Sequence, residues 1–391
     1  MLSEVEKEIG ILAYVSKTSG IGGRIKVSPD DFMVIEISDD VKIGDDGEHL
    51  IVEIEKVNWD TNQLIKELAR RLRVSQRRFG VAGIKDKKAK TIQRISIRGV
   101  EWEEIEKISL KGVNMKYVGK SNRRIGIGDL KGNKFLIRIR DVVIGQKECE
   151  KRILRIKNEL DDFGGAPNFY GFQRFGSVRP ITHRVGRALL KGDVEEAVMS
   201  YIAMPFEGER VKNERKELWE RYLRGEHESG LGEILKRFPR HLRYERTMLS
   251  VIVSEGSYTK AFRALPINLQ KLFIHGYQSY LFNRILSERI LEGIPLNEPI
   301  PGEYVVFTKN GVPYEKMYEP VRDDNISSLK RLINAGRGYV ALPVIGYQTN
   351  SLPQYARNIL EEEEVKPEDF KLGGELSELS SKGTLRCITI D

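Results

Sequence analysis

A chain of 391 residues with 40% hydrophobic and 31% charged side chains has the composition of a soluble globular protein of two or three domains, which excludes bulk disorder. No apolar run reaches the ~18–20 residues that a membrane-spanning helix needs, and Glu4, Glu6, Lys7 and Glu8 break up the segment where a secretory signal would be apolar. The net charge of +8 is unevenly placed: residues 61–98 hold twelve Lys and Arg against Glu67 and Asp86, and residues 116–140 hold eight against Asp129.

In chain order, Ile25 to Val27 and Phe32 to Ile37 read as strands on either side of a Ser-Pro-Asp-Asp turn. His49 to Lys56 is a further strand. A helix starts at Asp60 or Thr61, with Leu64, Ile65, Leu68, Ala69 and Leu72 on one face and Lys66, Arg70, Arg71 and Arg73 around the rest. Thr91 to Arg98 again reads as strand. Phe135, Ile137 and Ile139 alternate with Lys134, Arg138 and Arg140, the pattern of a half-exposed strand with a basic outer face. From about Pro180 helical patterns dominate, the longest running from Asn268 to Glu292, and Tyr339 to Ile345 reads as a buried strand.

Positive charge gathered in one part of a chain is the footprint of a phosphate-backbone partner, or else of the ion-paired surface common in heat-adapted proteins. Two cysteines and five scattered histidines (His49, His183, His227, His241, His275) make a built-in transition-metal site an unattractive reading. There is no GxxxxGK[ST], HExxH, GxSxG or CxxC, so an enzyme reading calls for cofactor-free chemistry.

Between Ala69 and Arg98 the one acidic side chain is Asp86, in GIKDKKAK. Lys85, Lys87, Lys88 and Lys90 favour its ionised form. Such a carboxylate can attack an electron-poor carbon, or can simply relieve charge in a loop. The segment PNFYGFQRFG puts four aromatics, Asn168, Gln173 and Arg174 between glycines, a surface able to stack on and hydrogen-bond an unpaired base, or a core turn with its rings inward. In FIHGYQSYLFN, Phe273, Tyr277, Tyr280 and Leu281 share a helix face, which packing explains.

Taken in order, IKVSPDDFMVIEI, FGVAGIKDKKAKTIQRISI, NFYGFQRFG and LQKLFIHGYQSYLFNRIL resemble the landmark segments of the TruD family of tRNA pseudouridine synthases, over most of the chain. The resemblance implies an α+β protein: a pseudouridine synthase fold with a mixed, mostly antiparallel sheet flanked by helices, plus an inserted TruD-specific α/β domain. Residues 1–185 and 350–391 would form the catalytic domain and 186–349 the insert. It implies conversion of uridine to pseudouridine in tRNA, at U13 of the D-arm, by breaking the N1–C1′ bond and rejoining the base through C5, with no cofactor and no metal. Asp86 would be the catalytic aspartate, with Lys85, Thr91 and Gln93 in the same motif and Lys26, Phe32 and Glu36 in the amino-terminal one. Tyr170, where the family commonly has Phe, would stack on the flipped base beside Asn168, Gln173 and Arg174. Arg70, Arg71, Arg77, Arg78, Lys87 and Lys88 would grip the RNA backbone.

After ELSSKGTLR the family pattern continues with a strand and a Gly-Ser-Tyr-containing element, whereas the sequence given runs to Asp391. The expected setting is a cytoplasmic monomer acting on tRNA without a membrane. Two readings stand beside the isomerase: a non-catalytic RNA-binding protein on the same fold, and an RNA base glycosylase or transglycosylase.

Overall fold

A computed structural model describes residues 2–38, 43–176, 178–226, 230–309 and 311–390, the side chain of Ile390 excepted. His227 and Asp391 lie outside the described residues. The chain divides into two compact units, Ser19–Leu154 and Met1–Thr18 with Arg155–Asp391. The boundaries expected at 185/186 and 349/350 both fall inside the second unit. There a continuous core joins Val185, Leu286, Val340, Ile359 and Ile388, so no break in packing marks those positions.

Six strands form the sheet of the first unit: β1 Phe32–Ser38, β2 His49–Val57, β3 Phe79–Val81, β4 Lys90–Arg98, β5 Val113–Ser121 and β6 Leu130–Ile137. Their order is β5-β2-β4-β1-β6, with β3 also on β4. β1 runs parallel to β4, and the other pairings are antiparallel. Period-two alternation in β2 sends Leu50, Val52 and Ile54 to one face. They meet Leu64, Leu68 and Ala69 of the helix Thr61–Leu72, with Phe79, Ile95 and Ile97. Asp60 caps that helix by accepting hydrogen bonds from the backbone N–H groups of Asn62 and Gln63.

Two strand expectations need correction. Residues 25–27 form no strand: a lone bridge joins Arg24 to Arg140, and Lys26 takes a positive φ of 56° that interrupts extension. β6 leaves both faces open, with Phe135, Leu136 and Ile137 all exposed, so its polar alternation does not mark a buried face.

The second unit is mainly helical around the 25-residue helix Ile267–Leu291. Gly186, in the helix Thr182–Leu190, and Gly276 let these two helices approach closely: a Cβ on Gly186 would stand 2.1 Å from the Phe273 carbonyl oxygen. A small sheet orders β11 Thr384–Cys387, β10 Gly338–Val344, β8 Tyr304–Lys309 and β9 Val312–Pro320. A separate pair joins β12 Thr389–Ile390 to β7 Ala166–Pro167. No helix among the described residues is long and apolar enough to cross a membrane.

Candidate active site

The loop from β3 to β4 carries Asp86, and the β-sheet dictates what surrounds it. Parallel pairing sets Val34 of β1 opposite Thr91 of β4, which brings the amino-terminal motif alongside the Asp86 loop. Lys85 turns inward, where its Nζ lies 2.8 Å from Glu36 Oε2, both side chains buried. The other Glu36 oxygen accepts from the Arg94 backbone N–H at 3.2 Å. Asp86 consequently points outward, its side chain 39% exposed, and its Oδ1 accepts from Lys26 Nζ at 3.2 Å. The same ammonium sits 4.0 Å from the Phe32 ring centroid, a cation–π contact that fixes its position.

The main chain of the loop is clamped from below. Lys56, fully buried, donates to the carbonyl oxygens of Trp59 (2.7 Å), Lys85 (3.4 Å) and Asp86 (3.0 Å). Burial pushes its ammonium down to about 8, against the pull of Asp60 and Asp86 and with the help of Lys85. Thr61 Oγ1 accepts from the Lys85 N–H and donates to Gln93 Oε1, and Gln93 in turn donates to the Gly83 carbonyl. The turn that presents Lys26 is anchored by Asp31, whose carboxylate accepts from Arg140 Nε at 2.8 Å and from the Ser28 N–H at 3.0 Å. The Arg140 contact holds Asp31 down at about 2, against the opposing effect of burial.

A second group of expected residues assembles in the other unit. Asn283, buried in the long helix, accepts from the Tyr170 N–H and donates to the Tyr170 and Ile9 carbonyls, which fixes the NFYG backbone. The Tyr170 ring meets Phe282 edge-on with centroids 5.4 Å apart. Arg386 places its guanidinium 4.0 Å from the Tyr170 ring centroid and bonds Asn168 twice, at the backbone oxygen (3.1 Å) and at Oδ1 (2.6 Å). Asn168 Nδ2 returns a hydrogen bond to the Cys387 carbonyl. Arg174 lies 5.2 Å from the same ring and donates to Ser279 Oγ. Gln173 is exposed beside it, Phe172 is 41% exposed and Phe175 is buried, so the aromatics divide between surface and core.

The structure thus groups Lys26, Glu36, Lys85, Asp86 and Gln93 in one unit and Asn168, Tyr170 and Arg174 in the other. It adds Lys56, Asn283 and Arg386, which the sequence reading did not single out. Lys56 continues the inward face of Leu50, Val52 and Ile54 by strict alternation, a legible signal of a buried lysine. Nothing local marks Arg386, more than two hundred residues from its partner Asn168. Of the expected backbone contacts, Arg70 and Arg71 are held on Glu67 at 2.7 and 2.8 Å. Arg77, Arg78, Lys87 and Lys88 are exposed. No group of three His, Cys, Asp or Glu side chains among the described residues could hold a metal ion.

Residues 8–391 match the family model described as tRNA pseudouridine synthase D (TruD). A protein of Methanococcoides burtonii named a probable tRNA pseudouridine synthase D is 42% identical over 99% of this chain and 88% of its own length. A Pyrococcus abyssi protein of the same name is 40% identical over 92% of this chain and 86% of its own. A crystal structure of a Methanosarcina mazei relative bearing the TruD name superposes with a TM-score of 0.89 at 40% identity, covering 100% of this chain and 89% of that one. The chain belongs to the TruD family of tRNA pseudouridine synthases.

Proposed function

We propose that this chain isomerises a uridine of tRNA, at position 13 of the D-arm, to pseudouridine, with the Asp86 carboxylate as nucleophile. One observation carries the reading. A single aspartate stands outward from a strongly basic segment, ion-paired to Lys26, on a main chain that a buried lysine clamps. A carboxylate attacking sugar or base must be ionised near RNA phosphates, and the Lys26 ammonium offsets their field. The target atoms are inaccessible in a stacked base, so the nucleotide is flipped out first, at a cost of a few kcal/mol.

The carboxylate adds to an electron-poor carbon of the nucleotide, C1′ or C6. The N1–C1′ bond breaks, C5 bonds to C1′, the carboxylate leaves the carbon it had attacked, and the proton on C5 leaves as N1 gains one. Mass is conserved. Incubated with tRNA, the protein should therefore release tritium from uridine labelled at C5 while the RNA keeps its mass. Loss of a base from the RNA, with free uracil in solution, would establish the glycosylase instead, and binding with neither outcome would establish the RNA-binding protein.

Tyr170 supplies a ring for the flipped base, and the support is its rigid mounting between Phe282, Asn283 and Arg386. Tyr170→Phe keeps the π-face and should retain most of the single-turnover rate. Tyr170→Ala loses stacking worth ~1–3 kcal/mol, a factor of roughly 5 to 150. A folded Phe variant that binds tRNA and stalls after glycosidic cleavage would assign the hydroxyl to proton transfer instead.

A further inference from the structure

At the end of β4 remote from Asp86, five basic side chains converge. His49, Arg77, Arg78, Arg98 and Arg124, with Gly99, line an open cleft of about 490 Å³. The antiparallel register places His49 opposite Arg98, and Arg78 donates to the Gly99 carbonyl. Arg124 NH2 donates to the Phe79 carbonyl at 2.5 Å, which anchors that guanidinium at the rim. Glu48 faces the group, 2.8 Å from Arg98. His49 is 9% exposed, and its Nδ1 finds no hydrogen-bond partner.

A buried ring nitrogen left unpartnered among four guanidiniums is costly unless something supplies the missing contact. Burial and then Arg98, aided by Arg124 and opposed by Glu48, hold the His49 imidazole below its ordinary range. The lining has no apolar floor for a small hydrophobic ligand. Guanidinium forks on a shallow basic surface match phosphate oxygens.

We infer that this cleft is a phosphate-backbone site for the RNA substrate, distinct from the nucleotide pocket around Asp86. The inference rests on the tRNA reading above. From Lys90 to Arg98 the strand spans about 26 Å at ~3.3 Å per residue, farther than one flipped nucleotide reaches. The cleft therefore grips the backbone of a different stretch of the RNA.

The test compares two full-length double variants of equal charge loss by tRNA binding across a salt series. Arg77→Gln with Arg98→Gln removes two exposed cleft guanidiniums. Lys316→Gln with Arg331→Gln removes two exposed cations of the other unit. The cleft variant should lower the slope of log K against log salt by about 1.8, at about 0.9 per lost phosphate contact borrowed from duplex DNA, while the control keeps the wild-type slope. An unchanged slope in the cleft variant, as expected for a site serving free phosphate, overturns the inference, and so does an equal drop in both. Failure of the wild-type protein to make pseudouridine would overturn the catalytic reading and leave this binding result standing on its own.

Discussion

Asp86→Asn should make no measurable pseudouridine while its Kd for tRNA stays within about twofold of wild type. The amide is nearly isosteric with the carboxylate but is neutral and a poor nucleophile, so the step that forms the enzyme–nucleotide bond is lost. The fold should be indifferent to the change. The side chain is 39% exposed, and the loop is held through the Asp86 carbonyl by Lys56 and through the Lys85 N–H by Thr61, none of which involves the carboxylate. Removing a negative charge beside Lys26, Lys87 and Lys88 does not weaken phosphate contacts. Tritium release from C5 under single-turnover conditions, with a parallel binding titration, reads both halves. Sustained turnover by Asp86→Asn would falsify the nucleophile assignment.

The largest effect on stability is expected at a buried ion pair that belongs to neither group of site residues. Arg289, on the long helix, and Glu303, just before β8, are both fully buried with Nε and Oε1 2.6 Å apart. The guanidinium also donates to the carbonyls of Ile294, Pro295 and Glu298. Glu303 accepts in addition from Tyr355 Oη at 2.6 Å and from the Ile300 N–H at 3.0 Å. Burial, and then the Glu303 carboxylate, push the Tyr355 phenol well above its ordinary range, which keeps it a donor. Arg289→Met strands a buried carboxylate and three carbonyls, and should cost about 3–5 kcal/mol. Arg289→Met with Glu303→Gln removes both charges and should recover part of that loss. Denaturant unfolding of the three proteins decides it. A single variant within about 1 kcal/mol of wild type would mean that the pair contributes no net stability.

Much of the Asp86 environment was legible because its parts are short and local. β1, β2, β4 and the Asp60-capped helix follow from alternation, apolar periodicity and a capping residue, and their pairing brings Lys26 and Glu36 to the Asp86 loop. What was not legible depended on contacts distant in sequence. The partner of Arg386 lies more than two hundred residues away, and Asn283 reads as one polar residue on a helix until its contacts to Ile9 and Tyr170 are seen. Charge counting had a different weakness. It treats Arg70 and Arg71 like Arg77 and Arg78, although Glu67 one helical turn away occupies the first two. The change in texture near Pro180 marks a change in secondary structure, which sequence shows, whereas the core that Val185 shares with Val340 and Ile388 depends on contacts distant in sequence.

The backbone of Lys26 has a consequence for how this protein can be improved. A β-carbon in the left-handed region, at φ 56°, costs on the order of 1 kcal/mol that glycine would avoid. The position therefore carries a standing conflict. Glycine would make the turn more comfortable and the folded chain more durable, yet it would remove the ammonium that faces Asp86. On the nucleophile assignment proposed above, durability and turnover therefore favour different residues at this one position.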